Sequence, residues 1–166
     1  MFSKRCGILI LLMGLLVFPL SASMVSFLVI ETGIPHNANA GEYAYLWEGG
    51  LMGAFFDAGH IVSNSPVMRL ENVPVAELQR GGLPRAAIED FNEALEGGAD
   101  FFILALLEFN THDGQVRPRE VSIRIYNTHT RAMVYEDFFP AGNGTNLRDV
   151  FLTAQDTGKV IAAQIR

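Results

Sequence analysis

The sequence predicts an α/β sandwich, a mixed sheet of about five strands with helices packed on it, in the order β-α-β-α-β-β-β-α. Three observations carry this. In "EALEGGADFFILALLEF" (93–109) a helix-like phrase stops at a double glycine and gives way to an almost wholly apolar run. A run apolar on both faces belongs at the centre of a sheet covered on both sides. In "EVSIRIYN", Val121, Ile123 and Ile125 alternate with Ser122, Arg124 and Tyr126, so this strand should bury one face and wet the other. Segments with apolar residues at helical spacing separate the early strands, as crossover connections require.

The elements follow in order. "MVSFLVIET" (24–32) reads as a buried first strand, ended by Gly33, Ile34 and Pro35. Asn39 and Glu42 have the spacing of a capping box, in which each side chain satisfies a free backbone amide, and so open a helix over 41–58. Its buried stripe is expected at Leu46, Trp47, Leu51, Ala54, Phe55 and Ala58. Gly49, Gly50 and Gly53 oppose this helix by roughly 1 kcal/mol each; close packing on the sheet is the expected compensation. "HIVSNSPVMRL" (60–70) is a second strand, interrupted near Ser65 and Pro66 because proline donates no ladder hydrogen bond, and so lies at an edge or carries a bulge.

Residues 71–82 form a connector with one helical turn at 75–79, and Pro84 then opens a helix whose buried stripe is Ile88, Phe91 and Leu95. Gly97 and Gly98 can take the left-handed conformation that ends it. The strand 101–109, the strand 120–126 and a last strand over 131–139 make a meander, with turns at 110–119 and 127–130. A final helix begins near Asn146 and places Leu147, Phe151, Ala154, Gly158, Ile161 and Ile165 on one stripe.

The 166 residues, 49% hydrophobic and 18% charged, suit one domain with a substantial core. Residues 1–23 have the three parts of an export signal: basic Lys4 and Arg5, an apolar run from Ile8 to Leu20, and small residues Ser21, Ala22 and Ser23. Removal before Met24 leaves a single domain, 24–166, in the periplasm. The alternative is an uncleaved amino-terminal helix that anchors the chain and makes its membrane contact. A lipoprotein signal is not the expected type, because Cys6 precedes the apolar run.

Cleavage removes Cys6, the one cysteine, so the mature domain has no disulfide, thiol nucleophile or thiolate ligand. It also lowers the count of Lys and Arg from 12 to 10 against 18 acidic residues, a net charge of −8. Nucleic acid is not the expected partner, since phosphate contacts need clustered cations.

At "GGADFFILALLEF" followed by "VSIRIYNTHTRAMVYED" the chain resembles the bacterial envelope family that contains CsgG, LpoB and the amino-terminal domain of TolB. The resemblance implies an anticodon-binding-like α/β fold and an assembly, scaffold or activator role. The chain departs from it in three ways: no lipoprotein cysteine follows the apolar run, no propeller follows the domain, and the amphipathic hairpins of a secretion channel are missing. A stand-alone module is what remains.

The candidates for chemistry are few. Asp113-Gly114 beside His112 is an ordinary hairpin turn signal. His112 and His129 fall at opposite ends of the strand 120–126, roughly 20 Å apart at about 3.3 Å per residue, and cannot share a metal ion. Asp57 and His60 sit at a helix end, where the histidine can cap terminal carbonyls. His36 follows Pro35 in a loop and is expected in solvent, and Asn143-Gly144-Thr145 is a formal glycosylation acceptor whose simpler role is a loop. Nucleophile-elbow, zinc-protease and phosphate-loop motifs are missing.

The expectation is thus a non-enzymatic periplasmic module without catalytic residues, cofactor or metal, binding envelope proteins or itself. Its partner surface is expected at Ser122, Arg124 and Tyr126, because arginine and tyrosine often dominate binding energies. The alternative is a small-ligand-binding or hydrolytic protein whose site is assembled from loops.

Overall fold

The structure, a computed structural model, describes residues 22–35, 42–70, 78, 82–112, 114–142 and 146–165. The export signal, His36, the Asn39 half of the capping box, most of the turn at 75–79 and the glycosylation motif therefore lie outside the described residues.

β1 (Met24–Thr32) leads into α1 (Tyr43–Asp57), β2 (Ile61–Asn64) and β3 (Met68–Arg69). A 3-10 turn (Arg85–Ala87) runs directly into α2 (Ile88–Glu96). Then come β4 (Phe101–His112), β5 (Gln115–Asn127), β6 (Met133–Pro140) and α3 (Leu147–Ala162). The sheet has six strands in the order β2-β1-β4-β5-β6, with β3 also on β1. The sixth arises as Pro66 implies: the second strand breaks in two, and both pieces pair parallel with β1 along one edge. Buried Glu31 on β1 secures the second piece by pairing with Arg69 Nε at 2.9 Å.

β1 and β4 are parallel neighbours, from Val25 opposite Phe101 to Thr32 opposite Glu108. Phe102 to Leu107 are buried, as their apolar sequence requires. One sheet face packs against α1 and α3 through Phe27, Ile103, Val121, Ile123 and Ile125 with Trp47, Leu51, Val150 and Ile161. The other packs against α2 through Leu28, Leu104, Phe102 and Tyr126 with Ala87, Phe91 and Ala94.

Asn146 caps α3 as expected: its Oδ1 accepts from Arg148 N at 3.0 Å. At the end of α2 only Gly98 is left-handed, with φ +83°, while Gly97 is an ordinary right-handed cap. A side chain at Gly98 would meet open space, so the penalty for one is purely conformational. Gly98→Val should therefore destabilise the domain by about 1–2 kcal/mol, read as a lowered midpoint in urea. An unchanged midpoint would remove the left-handed requirement.

Several expectations are corrected. The segment 110–119 is not a long turn: β4 and β5 run on to His112 and Gln115, closing at Gly114 with φ +73°. The register shifts between Glu108 and Phe109, and Pro118, opposite Phe109, is accommodated beside that bulge. Pro84 precedes the 3-10 turn as its cap. The buried stripe there is Ala87, Phe91 and Ala94, with Ile88 exposed and Leu95 half-buried. In α3, Leu147 is exposed, while Val150 and Ala162 join the buried side. In α1, Trp47, Leu51, Ala54 and Phe55 are buried as expected, Leu46 is half-buried and Ala58 exposed.

Of the glycines of α1, Gly50 serves a helix and not the sheet. A Cβ on Gly50 would stand 2.6 Å from that of Ala154, and one on Gly158 would stand 2.7 Å from that of Ala54. The two helices cross in close contact there. Gly49 has only an ordinary contact with Phe151, and Gly53 faces open space.

Candidate interaction surfaces

Ser122, Arg124 and Tyr126 share one face of β5, as their alternation predicts, but that face is not wet. Arg124 is 0% exposed, Tyr126 2% and Ser122 5%. The cover comes from α2 and the connector before it. Arg124 Nη1 donates to Leu78 O at 2.5 Å and to Gly82 O at 3.4 Å, and Tyr126 OH donates to Gly82 O at 2.7 Å. Phe91 meets the Tyr126 ring edge-on, with centroids 6.3 Å apart.

The charge is balanced from the neighbouring strand. Glu136 on β6 lies opposite Arg124 in the ladder and accepts from its Nε at 2.6 Å. Among the described residues, Arg124 Nη2 and Ser122 Oγ have no hydrogen-bond partner. Burial pushes the Tyr126 phenol above its ordinary pKa, against the opposing pull of the Arg124 charge. Arg124 and Tyr126 therefore fasten Leu78 and Gly82 to the sheet. The expected open partner face at Ser122, Arg124 and Tyr126 is corrected, because the connector's carbonyls supply the polar partners that water was expected to supply.

The histidines do not converge. His112 and His129 sit at opposite ends of β5, as expected. His129 Nε2 lies 3.5 Å from Asp100 Oδ1. His60 stacks at a tilt on Phe55, 5.6 Å between centroids, and only its backbone N–H reaches back, to Phe55 O. Its Nδ1 is buried without a partner among the described residues, so no side-chain cap forms. No group of three or more His, Cys, Asp or Glu able to hold a metal ion occurs among the described residues. An open groove of about 500 Å³ runs along α2 beside Arg85, Ile88, Glu89, Asn92, Glu93 and Glu96; its lining comes from one helix and the turn before it.

What the structure exposes instead is the outer side of α1. Tyr45, Gly49, Met52 and Phe56 are spaced four, three and four apart, which aligns them along one line of the helix. Tyr45 is 64% and Phe56 69% exposed, Met52 is half-buried, and Leu152 of neighbouring α3 is 42% exposed. With Trp47, Leu51 and Phe55 facing the sheet, α1 is apolar round most of its circumference. Its composition carried that signal: between Tyr43 and Asp57 the charged residues are Glu48 and Asp57 alone. A second open feature is β6, an edge strand with Val134 and Phe138 exposed. Among the described residues, no helix is long and apolar enough to cross a membrane.

No family model and no curated protein matches the chain. Solved structures do. The PelC dodecamer from Paraburkholderia phytofirmans aligns over 87% of this chain and 89% of its own, at 13% identity and a TM-score of 0.51. The LpoB C-terminal domain from Escherichia coli aligns over 70% of this chain and 80% of its own, at 12% identity and a TM-score of 0.40. TolB from Acinetobacter baumannii aligns over 87% of this chain and 27% of its own, at 12% identity and a TM-score of 0.37. At such identities the PelC likeness bears on the fold alone, and the two lower scores add nothing to it.

Proposed function

We propose that this chain is a non-enzymatic, exported module of the bacterial envelope that works in assembly, associating with further copies of itself through the outer side of α1. Kinship with the CsgG, LpoB and TolB group is part of the same reading. The observation that carries it is the exposure of Tyr45 and Phe56 at the two ends of the line Tyr45, Gly49, Met52 and Phe56 among the described residues. A helix apolar on all sides is normally buried on all sides, and exposed apolar patches of this kind mark surfaces that another protein covers. The choice of a second copy is supported by PelC, a dodecamer of similar fold. The apolar run 8–20 supports export, and the net charge, −6 for the full chain, argues against nucleic acid.

The test replaces Tyr45 and Phe56 together with serine. Both side chains are largely exposed, so unfolding should stay within about 0.5 kcal/mol of the parent. Self-association, followed by sedimentation, should weaken by about tenfold or more. Unchanged self-association would overturn the proposed face. Loss of a different envelope protein from in-cell crosslinks, with no effect on oligomers, would keep the face and replace the occupant.

A further inference from the structure

The corner where the described chain begins holds a carboxylate placed for the amino group that signal removal would create. Met24 N donates to Asp100 Oδ2 at 2.8 Å, while Asp100 N donates back to Met24 O at 2.8 Å. Asp100 is itself held. Its carbonyl accepts from Thr128 N at 3.1 Å and from Thr128 Oγ1, and His129 Nε2 lies 3.5 Å from its other carboxylate oxygen. The Asp100 side chain is 44% exposed, so a cation there stays partly hydrated while touching the acid.

Signal peptidases select small residues at the last and third-last positions of the segment they remove. A cut between Ser23 and Met24 leaves Ser23 and Ser21 in those places. The nitrogen that now donates to Asp100 as a neutral amide would then be the α-ammonium of the mature chain. We propose that Asp100 is the receptor for this new amino terminus, forming with the Met24 ammonium an ion pair that exists only after processing. Hydrolysis of the Ser23–Met24 peptide bond consumes one water and releases the Ser23 carboxylate with the signal. The cut also removes the Ser23 carbonyl that accepts from Ile61 N at 3.0 Å, the first bond between β1 and edge strand β2. The amide bond to the carboxylate is already charge-assisted; processing adds a full positive charge to the donor, and that Coulomb attraction offsets part of the loss. Processing thereby fixes β1 against β4 at the cost of one contact to β2.

The proposal rests on the export reading, and the experiment separates the two. Intact-mass measurement on the exported protein should give residues 24–166; any other first residue removes the premise and the proposal with it. Asp100→Asn is then compared in two chains, the mature one and one that keeps Ala22 and Ser23 ahead of Met24. In the longer chain the asparagine oxygen still accepts from the Met24 amide, and the melting temperature should move by less than about 1 °C. In the mature chain the ammonium loses its counter-charge, and a fall of about 3 °C is expected. Equal shifts in the two chains would overturn the ion pair while leaving the export reading intact.

Discussion

Replacing Arg124 with alanine should cost about 3–5 kcal/mol of folding stability, the largest effect expected of any single polar substitution here. The guanidinium is wholly buried and serves three partners at once: the Glu136 carboxylate and the carbonyls of Leu78 and Gly82. Alanine leaves Glu136 without its cation and the Leu78 carbonyl without its donor, and an unpaired buried acceptor alone costs about 1–3 kcal/mol. It also opens a void beside Tyr126. Arg124→Lys should recover less than half of the loss, because one compact ammonium cannot reproduce the planar fork that reaches separate acceptors. Urea unfolding of the two variants checks this. If the alanine variant unfolds within 1 kcal/mol of the parent, on the order of a surface substitution, the connector is not held by Arg124. Binding assays on Ser122, Arg124 or Tyr126 must accordingly separate loss of fold from loss of contact.

The second large effect is expected at the crossing of α1 and α3. Gly158→Ala puts a methyl group 2.7 Å from the Ala54 Cβ and 3.2 Å from the Leu51 Cα, neither of which is the end of a flexible side chain. Overpacking of this kind costs about 1–3 kcal/mol, and it must outweigh the roughly 1 kcal/mol that alanine gains over glycine inside a helix. A net loss of up to about 2 kcal/mol is expected. The reciprocal change Ala54→Gly removes the nearer clash, so the double variant should unfold close to the parent although Ala54→Gly alone is unfavourable. A double-mutant cycle measures this rescue directly. Additive losses would mean that the helices do not meet at this pair.

The sequence by itself determined the elements whose cause is local. The apolar run from Phe101 names a strand buried on both faces whatever covers it. Gly98 supplies a backbone conformation that other residues reach only at a cost, and Asn146 bonds an amide two residues away. Pro66 interrupts a ladder by lacking a donor, and so splits the edge strand. Each of these effects acts over a few residues of chain, and a linear pattern contains them.

Tertiary structure decided the rest, because which side of an element meets protein depends on residues far away in sequence. The alternation of Ser122, Arg124 and Tyr126 located one face of β5, but a polar face against solvent and a polar face against backbone carbonyls read identically. Leu78 and Gly82 are more than 40 positions away. Ile88 and Leu147 fit helical stripes and yet are exposed, because the side turned to the sheet is the one that carries Ala87 and Val150 beside them, a rotation that only the packing sets. The glycines of α1 pointed to close packing, yet only the fold could choose the partner, since Gly50 makes room for Ala154 of α3, about a hundred residues further along the chain.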